Sequence, residues 1–146
     1  MIARDPEVTS KEQLRDNTYK HQQDVRNLLL EVQRLLQQRG DNHDWSKLRT
    51  LDWFYAAYEG GFCDQSWFKM HAAAERHHFT SQHSKMTAQN VTLIDVIERM
   101  CDCIASGTAR CGKVTPDTEL DLVMLEHAYK NTWDMLRKTA VDPTTE

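Results

Sequence analysis

The sequence predicts an all-α protein, a compact bundle of about five helices in a single domain spanning 1–146. Apolar residues recur at three- and four-residue spacing over long stretches, with little strict alternation. Only 5 glycines and 3 prolines punctuate the 146 residues, too few for a chain of many strands and turns. The breaks that do occur separate segments of helical length. Residues 1–9 and 141–146 are expected to fray.

The first helix should open at Ser10, because Ser10 to Gln13 is a capping-box pattern, and run to about Arg39 with Gly40 at the stop. Its apolar stripe is Leu14, Val25, Leu28, Leu29, Val32, Leu35 and Leu36. Heptad spacing links Leu14, His21, Leu28 and Leu35, which puts an imidazole on the buried face. A second helix is expected over 50–59, rich in aromatic residues and stopped by Gly60-Gly61. Trp45, Trp53, Phe54, Tyr55 and Tyr58 read as core, with one member free to stack on a base. Asp64 can cap a third helix carrying "QSWFKMHAAAERHH". On a regular helix Trp67, His71, Ala74 and His78 share a face, and His77 points elsewhere.

After a loop-like stretch, "VTLIDVIERMCDCIAS" predicts a fourth helix ended by Gly107. Its apolar face is Leu93, Ile94, Ile97, Met100, Cys101 and Ile104, with Asp102 at the margin. Thr115-Pro116-Asp117 starts the last helix, with proline at the first helical position. That helix should reach about Lys138 and turn Leu122, Leu125, Tyr129, Trp133 and Leu136 inward.

A formal net charge of -4 argues against a partner bound mainly through nucleic-acid phosphates. It leaves room for a small phosphorylated ligand in a locally basic pocket. No apolar run is long enough to span a membrane, and the N-terminus lacks a secretory pattern, so a cytoplasmic location is expected. Cys63, Cys101, Cys103 and Cys111 lack the paired short spacing of a zinc knuckle and read as reduced thiols.

The chemistry lies elsewhere. His21, the adjacent pair His43-Asp44, His71 with His77 and His78, and Asp102 come from four separate segments and are all directed inward by this map. Imidazole and carboxylate together suit a first-row divalent transition metal (Mn, Fe, Ni or Zn) better than Mg²⁺ or Ca²⁺. Six ligands exceed what one catalytic zinc uses, so two ions bridged by Asp44 would account for the number. His78, on the face of His71, is the expected ligand of the histidine pair. His83 and His127 read as structural or solvent-facing, and Glu98 as part of a charged helix edge. Asp95 fits either that edge or a carboxylate that orients a ligating imidazole.

In this order His21, His43-Asp44 and Asp102 resemble the H…HD…D signature of the HD-domain superfamily of metal-dependent phosphohydrolases. "HDWSK" is similar to the HDxGK motif of its HD-GYP branch, with Ser46 for Gly and Lys47 retained. "RHH" at 76–78 resembles that branch's paired histidines, and "CDCIASGTAR" its Asp-then-Ala-then-Arg segment. The overall pattern is most similar to a set of small phage and bacterial HD-like proteins that carry HDxSK and a late "DW" helix. Here Cys103 stands in place of that tryptophan.

The resemblance covers roughly 17–112. The GYP tripeptide is absent, so the cyclic-dinucleotide substrate does not carry over, and His71 lies closer to the histidine pair than in that branch. The resemblance implies an HD-like fold with one metal held by His21, His43, Asp44 and Asp102. A second would lie on Asp44, His71 and His77 or His78. It implies an activated water as nucleophile, with Asp44 and Lys47 serving catalysis and Lys47 neutralising a phosphate oxygen. Arg76 and Arg110 are weaker candidates for that task.

The function expected is hydrolysis of a small nucleotide or related phosphate ester. Two rivals stand beside it: an HD-fold di-iron oxygenase, and a non-enzymatic phage accessory protein that binds a nucleotide or a host protein.

Overall fold

A computed structural model describes residues 10–111 and 121–141, with backbone alone for 107–111 and 141. The described chain is all-helical, and its helices form a bundle. The expected frayed ends fall largely outside the described residues. Among the described residues five longer helices and one short one follow in order, with a 3-10 turn between the third and fourth of the longer helices.

Helix α1 (Lys11–Asn42) starts as its capping box dictates. Ser10 Oγ accepts the Gln13 N–H at 3.1 Å, and Gln13 Oε1 accepts the Ser10 N–H at 3.1 Å. It does not stop at Gly40 but continues to Asn42, whose side-chain amide donates to Gln38 O at 2.8 Å. Glycine weakens a helix interior by about 1 kcal/mol, a cost that neighbouring turns can carry.

The aromatic segment is also divided differently. A short α2 (Trp45–Arg49) precedes α3 (Leu51–Glu59), and Thr50 between them donates its hydroxyl to Ser46 O at 2.8 Å. Of the expected aromatic core only Phe54 is half-buried; Trp45, Trp53, Tyr55 and Tyr58 are exposed. Asp64 holds the start of α4 (Ser66–Ala74), accepting the Ser66 N–H at 2.9 Å and its hydroxyl at 2.8 Å.

Helix α4 ends one turn early for a physical reason. Glu75 is extended (φ −97°, ψ 124°), and its buried carboxylate accepts the Ser46 N–H at 2.9 Å. That bond draws the chain out of the helix before the 3-10 turn Arg76–His78.

Helix α5 (Leu93–Cys111) runs past Gly107. Its start is a reciprocal cap, with Asp95 Oδ2 accepting the Thr92 N–H at 2.8 Å and Thr92 Oγ1 accepting the Asp95 N–H at 3.4 Å. Helix α6 (Leu122–Val141) closes the bundle, and its expected start at 115–117 lies outside the described residues.

The core gathers Phe79, Val91, Val96 and Ala128, with Met86, Leu93 and Met124 packed against them. Helix α6 therefore presents a different face from the one its large apolar residues suggest. Ala128 and Thr132 point in, while Leu122, Tyr129 and Trp133 are exposed. Polar anchors set that rotation. Thr132 Oγ1 accepts the Leu93 N–H at 2.8 Å, and Asn131 donates to Val91 O at 2.7 Å and Ala88 O at 2.9 Å. The small Ala128 lets the helices approach between these bonds.

On α5, Ile94 is buried but Ile97, Met100 and Ile104 are exposed. Among the described residues no helix is long and apolar enough to cross a membrane.

Asp95, fully buried, ties the layers together. Arg76 donates to both its oxygens at 2.7 Å, and Arg39 Nη2 lies 3.2 Å from Oδ1. Asp95→Ala should cost about 3 kcal/mol of unfolding free energy, because it strands two guanidiniums and a helix start. Urea unfolding followed by circular dichroism measures it; a loss below about 1 kcal/mol would show the clamp to be dispensable.

Candidate metal centre

The junction of α1 and α2 generates the site. His43 ends α1 with φ −58°, ψ 132°, and Asp44 adopts the left-handed conformation, φ 57°, ψ 24°. Aspartate tolerates that region better than most residues. The kink sends the two side chains in different directions and starts α2 at once, so Ser46 and Lys47 follow on the inside.

Six of the seven expected metal ligands meet here. Asp44, His71, His77 and His78 form one group, and His43, His77 and Asp102 a second; within each, the donor atoms lie within 4.8 Å of one another. Asp44 stands between the groups. Its Oδ1 lies 3.4 Å from His71 Nε2 and 3.6 Å from His77 Nε2, and its Oδ2 is 3.5 Å from His43 Nε2.

His21 is the exception. It is exposed on α1, twenty-two residues before His43, a separation of about 33 Å at helical rise. All of residues 11–27 are exposed, so the heptad that includes His21 faces no neighbouring helix there. His21 is no part of this site.

The imidazoles of His43, His71 and His77 share one orientation, with Nε2 towards Asp44 and Nδ1 away from it. His43 Nδ1 is 3.1 Å from Glu98 Oε1, and His71 Nδ1 is 2.7 Å from Ser46 Oγ. His77 Nδ1 lies 3.2 Å from Glu98 Oε1, without hydrogen-bond geometry. Their Nε2 atoms converge on Asp44. His78 completes the ring, its Nε2 2.9 Å from His71 Nε2. Trp67 stacks on His71, centroids 4.9 Å apart, and donates its indole N–H to Thr50 Oγ1 at 2.9 Å, which locks the ring plane.

Glu98 is thus not a solvated helix edge. Only 8% of its side chain is exposed, and it holds two imidazoles. Its signal was its place one turn before Asp102 on α5. Asp95, one turn nearer the helix start, clamps arginines and touches no imidazole.

The histidine pair also differs from the helical expectation. Because the helix breaks at Glu75, His77 is the more buried, at 1% exposure, and belongs to both groups, while His78 is half-buried. Lys47 donates its ammonium to Asp44 Oδ2. Arg76 is committed to Asp95 and Asn90 O, so it is not available to a substrate here, and the side chain of Arg110 lies outside the described residues. Trp45 lies on the outside of α2. His83 and His127 are half-buried and belong to neither group.

The electrostatics have opposite signs at the two ends. Hydrogen bonds to Asp102 and Glu98 push His43 up to about 10, and the same imidazolium pulls Asp102 down to about 2. Glu98 also falls to about 2, its partners His43 and His77 outweighing a burial that acts the other way. Burial drives His71 down to about 4 and His78 to about 3. The His43 imidazolium thus faces Glu98 and Asp102, the Lys47 ammonium faces Asp44, and burial keeps His71 and His78 neutral.

Polar atoms are left over all the same. Asp44 Oδ1 and His77 Nε2 are buried with no hydrogen-bond partner. Burying such atoms costs on the order of 1–3 kcal/mol each unless something else satisfies them. A cation coordinated between them would do so, and the mixed imidazole–carboxylate donor set suits a first-row transition metal.

Fold and site together define a small all-α protein with a buried histidine–carboxylate cluster. The chain belongs to the family described as "Family of unknown function (DUF5662)", whose model matches residues 10–142. No curated protein and no solved structure matches it.

In chelator-treated protein at neutral pH, His43 should carry both ring protons, while His71 and His78 should be neutral. Long-range ¹H–¹⁵N spectra of the imidazoles distinguish these states directly. A neutral His43 would overturn the charge distribution described here.

Proposed function

We propose that this chain is a metal-dependent phosphohydrolase of HD-domain type, acting on a small nucleotide or related phosphate ester through a mono- or dinuclear His/Asp site. The observation that carries this reading is the common orientation of the imidazoles around Asp44. The Nε2 atoms of His43, His71 and His77 lie 3.5, 3.4 and 3.6 Å from the Asp44 carboxylate, whose Oδ1 has no hydrogen-bond partner.

His43, Asp44, His71, His77, His78 and Asp102 would hold one or two ions of Mn, Fe, Ni or Zn. A bound divalent ion brings the pKa of water towards neutrality and polarises a phosphoryl oxygen. The remaining tasks fall to the chain. Glu98 and Ser46 hold imidazoles in their tautomers, and Trp67 keeps His71 from rotating. Asp44 places its carboxylate between the two donor groups. Lys47, 32% exposed at the edge of the cluster, can leave Asp44 to donate to a phosphate oxygen. An ammonium has no lone pair, so its role is towards the substrate.

A cleft of about 420 Å³ opens beside the cluster, lined by His43, Glu98 and Asp102 on one side and Leu36, Ile97 and Ala105 on another. It would admit a small ester with an apolar part. The setting proposed is the cytoplasm of a bacterial or phage-infected cell.

Purified protein should contain one to two equivalents of transition metal by elemental analysis. His77→Ala should lower that content more than His78→Ala, and His21→Ala should leave it unchanged. Absence of metal after reconstitution, or its loss in His21→Ala, would sink the assignment.

Lys47→Ala should keep fold and metal while losing turnover by on the order of 10²- to 10³-fold, as removal of a transition-state donor does. Hydrolysis of a panel of mono-, tri- and cyclic nucleotides, with metal content and melting temperature on the same sample, reads this out. Unchanged hydrolysis would remove Lys47 from the reaction. Oxygen-dependent chemistry with iron and no phosphate release would point to an oxygenase, and tight nucleotide binding without turnover in any metal to a binding protein.

A further inference from the structure

A second cleft, about 630 Å³, lies where the end of α1, α2, the start of α5 and α6 meet. No residue of either donor group lines it. Its polar wall is Arg39, Arg49 and Arg76, with Gln38 and Asn42 beside them, and its apolar wall includes Leu35, Ile94 and Met135. In a chain of net charge -4, three guanidiniums in one cleft stand out.

Their partners are few. Arg76 and Arg39 share the single carboxylate of Asp95, and Arg39 Nε is 3.9 Å from Glu98. Arg49 meets no carboxylate among the described residues; it lies over the exposed Trp45 ring, 5.0 Å from the centroid. Three guanidiniums against Asp95 and the more distant Glu98 leave about one positive charge in excess, that of Arg49, which suits an anionic phosphate. Guanidiniums suit such a group because their planar forks donate to two oxygens at once.

We propose that this cleft is a second binding site, separate from the metal cluster, for a small organic phosphate. Arg49 and Arg39 hold the phosphate, and the carbon portion lies on the apolar wall of Leu35, Ile94 and Met135. Arg76 contributes charge rather than contact, since Asp95 and Asn90 occupy its donors. Trp45 holds Arg49 in place. The site needs no metal, so it stands or falls independently of the phosphohydrolase reading.

Calorimetric titration with phenyl phosphate tests it, on protein as purified and again with a chelator present. With chelator present, binding should occur with one site per chain. It should be tighter than that of inorganic phosphate, which has no carbon portion to bury. Arg49→Gln, a change at an exposed position, should weaken it about tenfold, the value of one charge-assisted hydrogen bond. Trp45→Phe should weaken it less. Ile94→Ala should bring phenyl phosphate towards the affinity of inorganic phosphate, with circular dichroism confirming the fold. Absence of binding in chelator, an unchanged affinity in Arg49→Gln, or equal affinity for the two probes would each overturn the proposal.

Discussion

The left-handed backbone of Asp44 is the constraint on which the rest of the site depends. His43 leaves helical geometry at ψ 132° and the left-handed Asp44 follows it, so the two residues do not lie 100° apart on one helical surface. This junction points the Asp44 carboxylate at three imidazoles and places the buried Ser46 on the first turn of α2. Ser46 then acts twice, its N–H donating to Glu75 and its hydroxyl bonding His71. The first contact ends α4, and that ending swings His77 into the cluster.

From this follows a layered arrangement around the donor set. The ligand-type atoms lie innermost. Glu98, Ser46 and Trp67 fix the imidazoles from behind. Asp95, Arg76 and Arg39 then bind the 3-10 turn, α5 and α1 to one another. Charge follows the same layers, with anionic oxygens at the centre and guanidiniums outside. Arg39 joins them, since it lies against Asp95 and near Glu98 and lines both clefts.

Among the described residues few large apolar side chains of the bundle are buried. Its core is small, and many large apolar side chains on α1, α3, α5 and α6 remain exposed. Polar contacts therefore carry much of the positioning: the Thr92–Asp95 cap, the Thr132 bond to the start of α5, and the Asn131 bonds to the loop before it. Such contacts are directional, so they set helix rotation where apolar packing alone would permit several faces.

The sequence by itself determined the all-helical class and the longer helices, the Ser10–Gln13 capping box, and the residue types that gather in the cluster. Each is local: a cap needs residues three apart, a helix its own periodicity, and a ligand its side-chain type. His43, Asp44, His71, His77, His78 and Asp102 were all legible for that reason. The same local reasoning placed His21 on a buried face, because periodicity gives the phase of a helix but not how far along it neighbours extend. It placed Leu122, Tyr129 and Trp133 inward on α6, because size suggests burial while the bonds of Thr132 and Asn131 decide rotation. Only the tertiary structure decided that Glu98 holds two imidazoles and that His77 is the more buried of the pair. The first depends on the contacts of Glu98 with His43, across 55 residues, and with His77, the second on that of Glu75 with Ser46 across 29, and no local pattern encodes them.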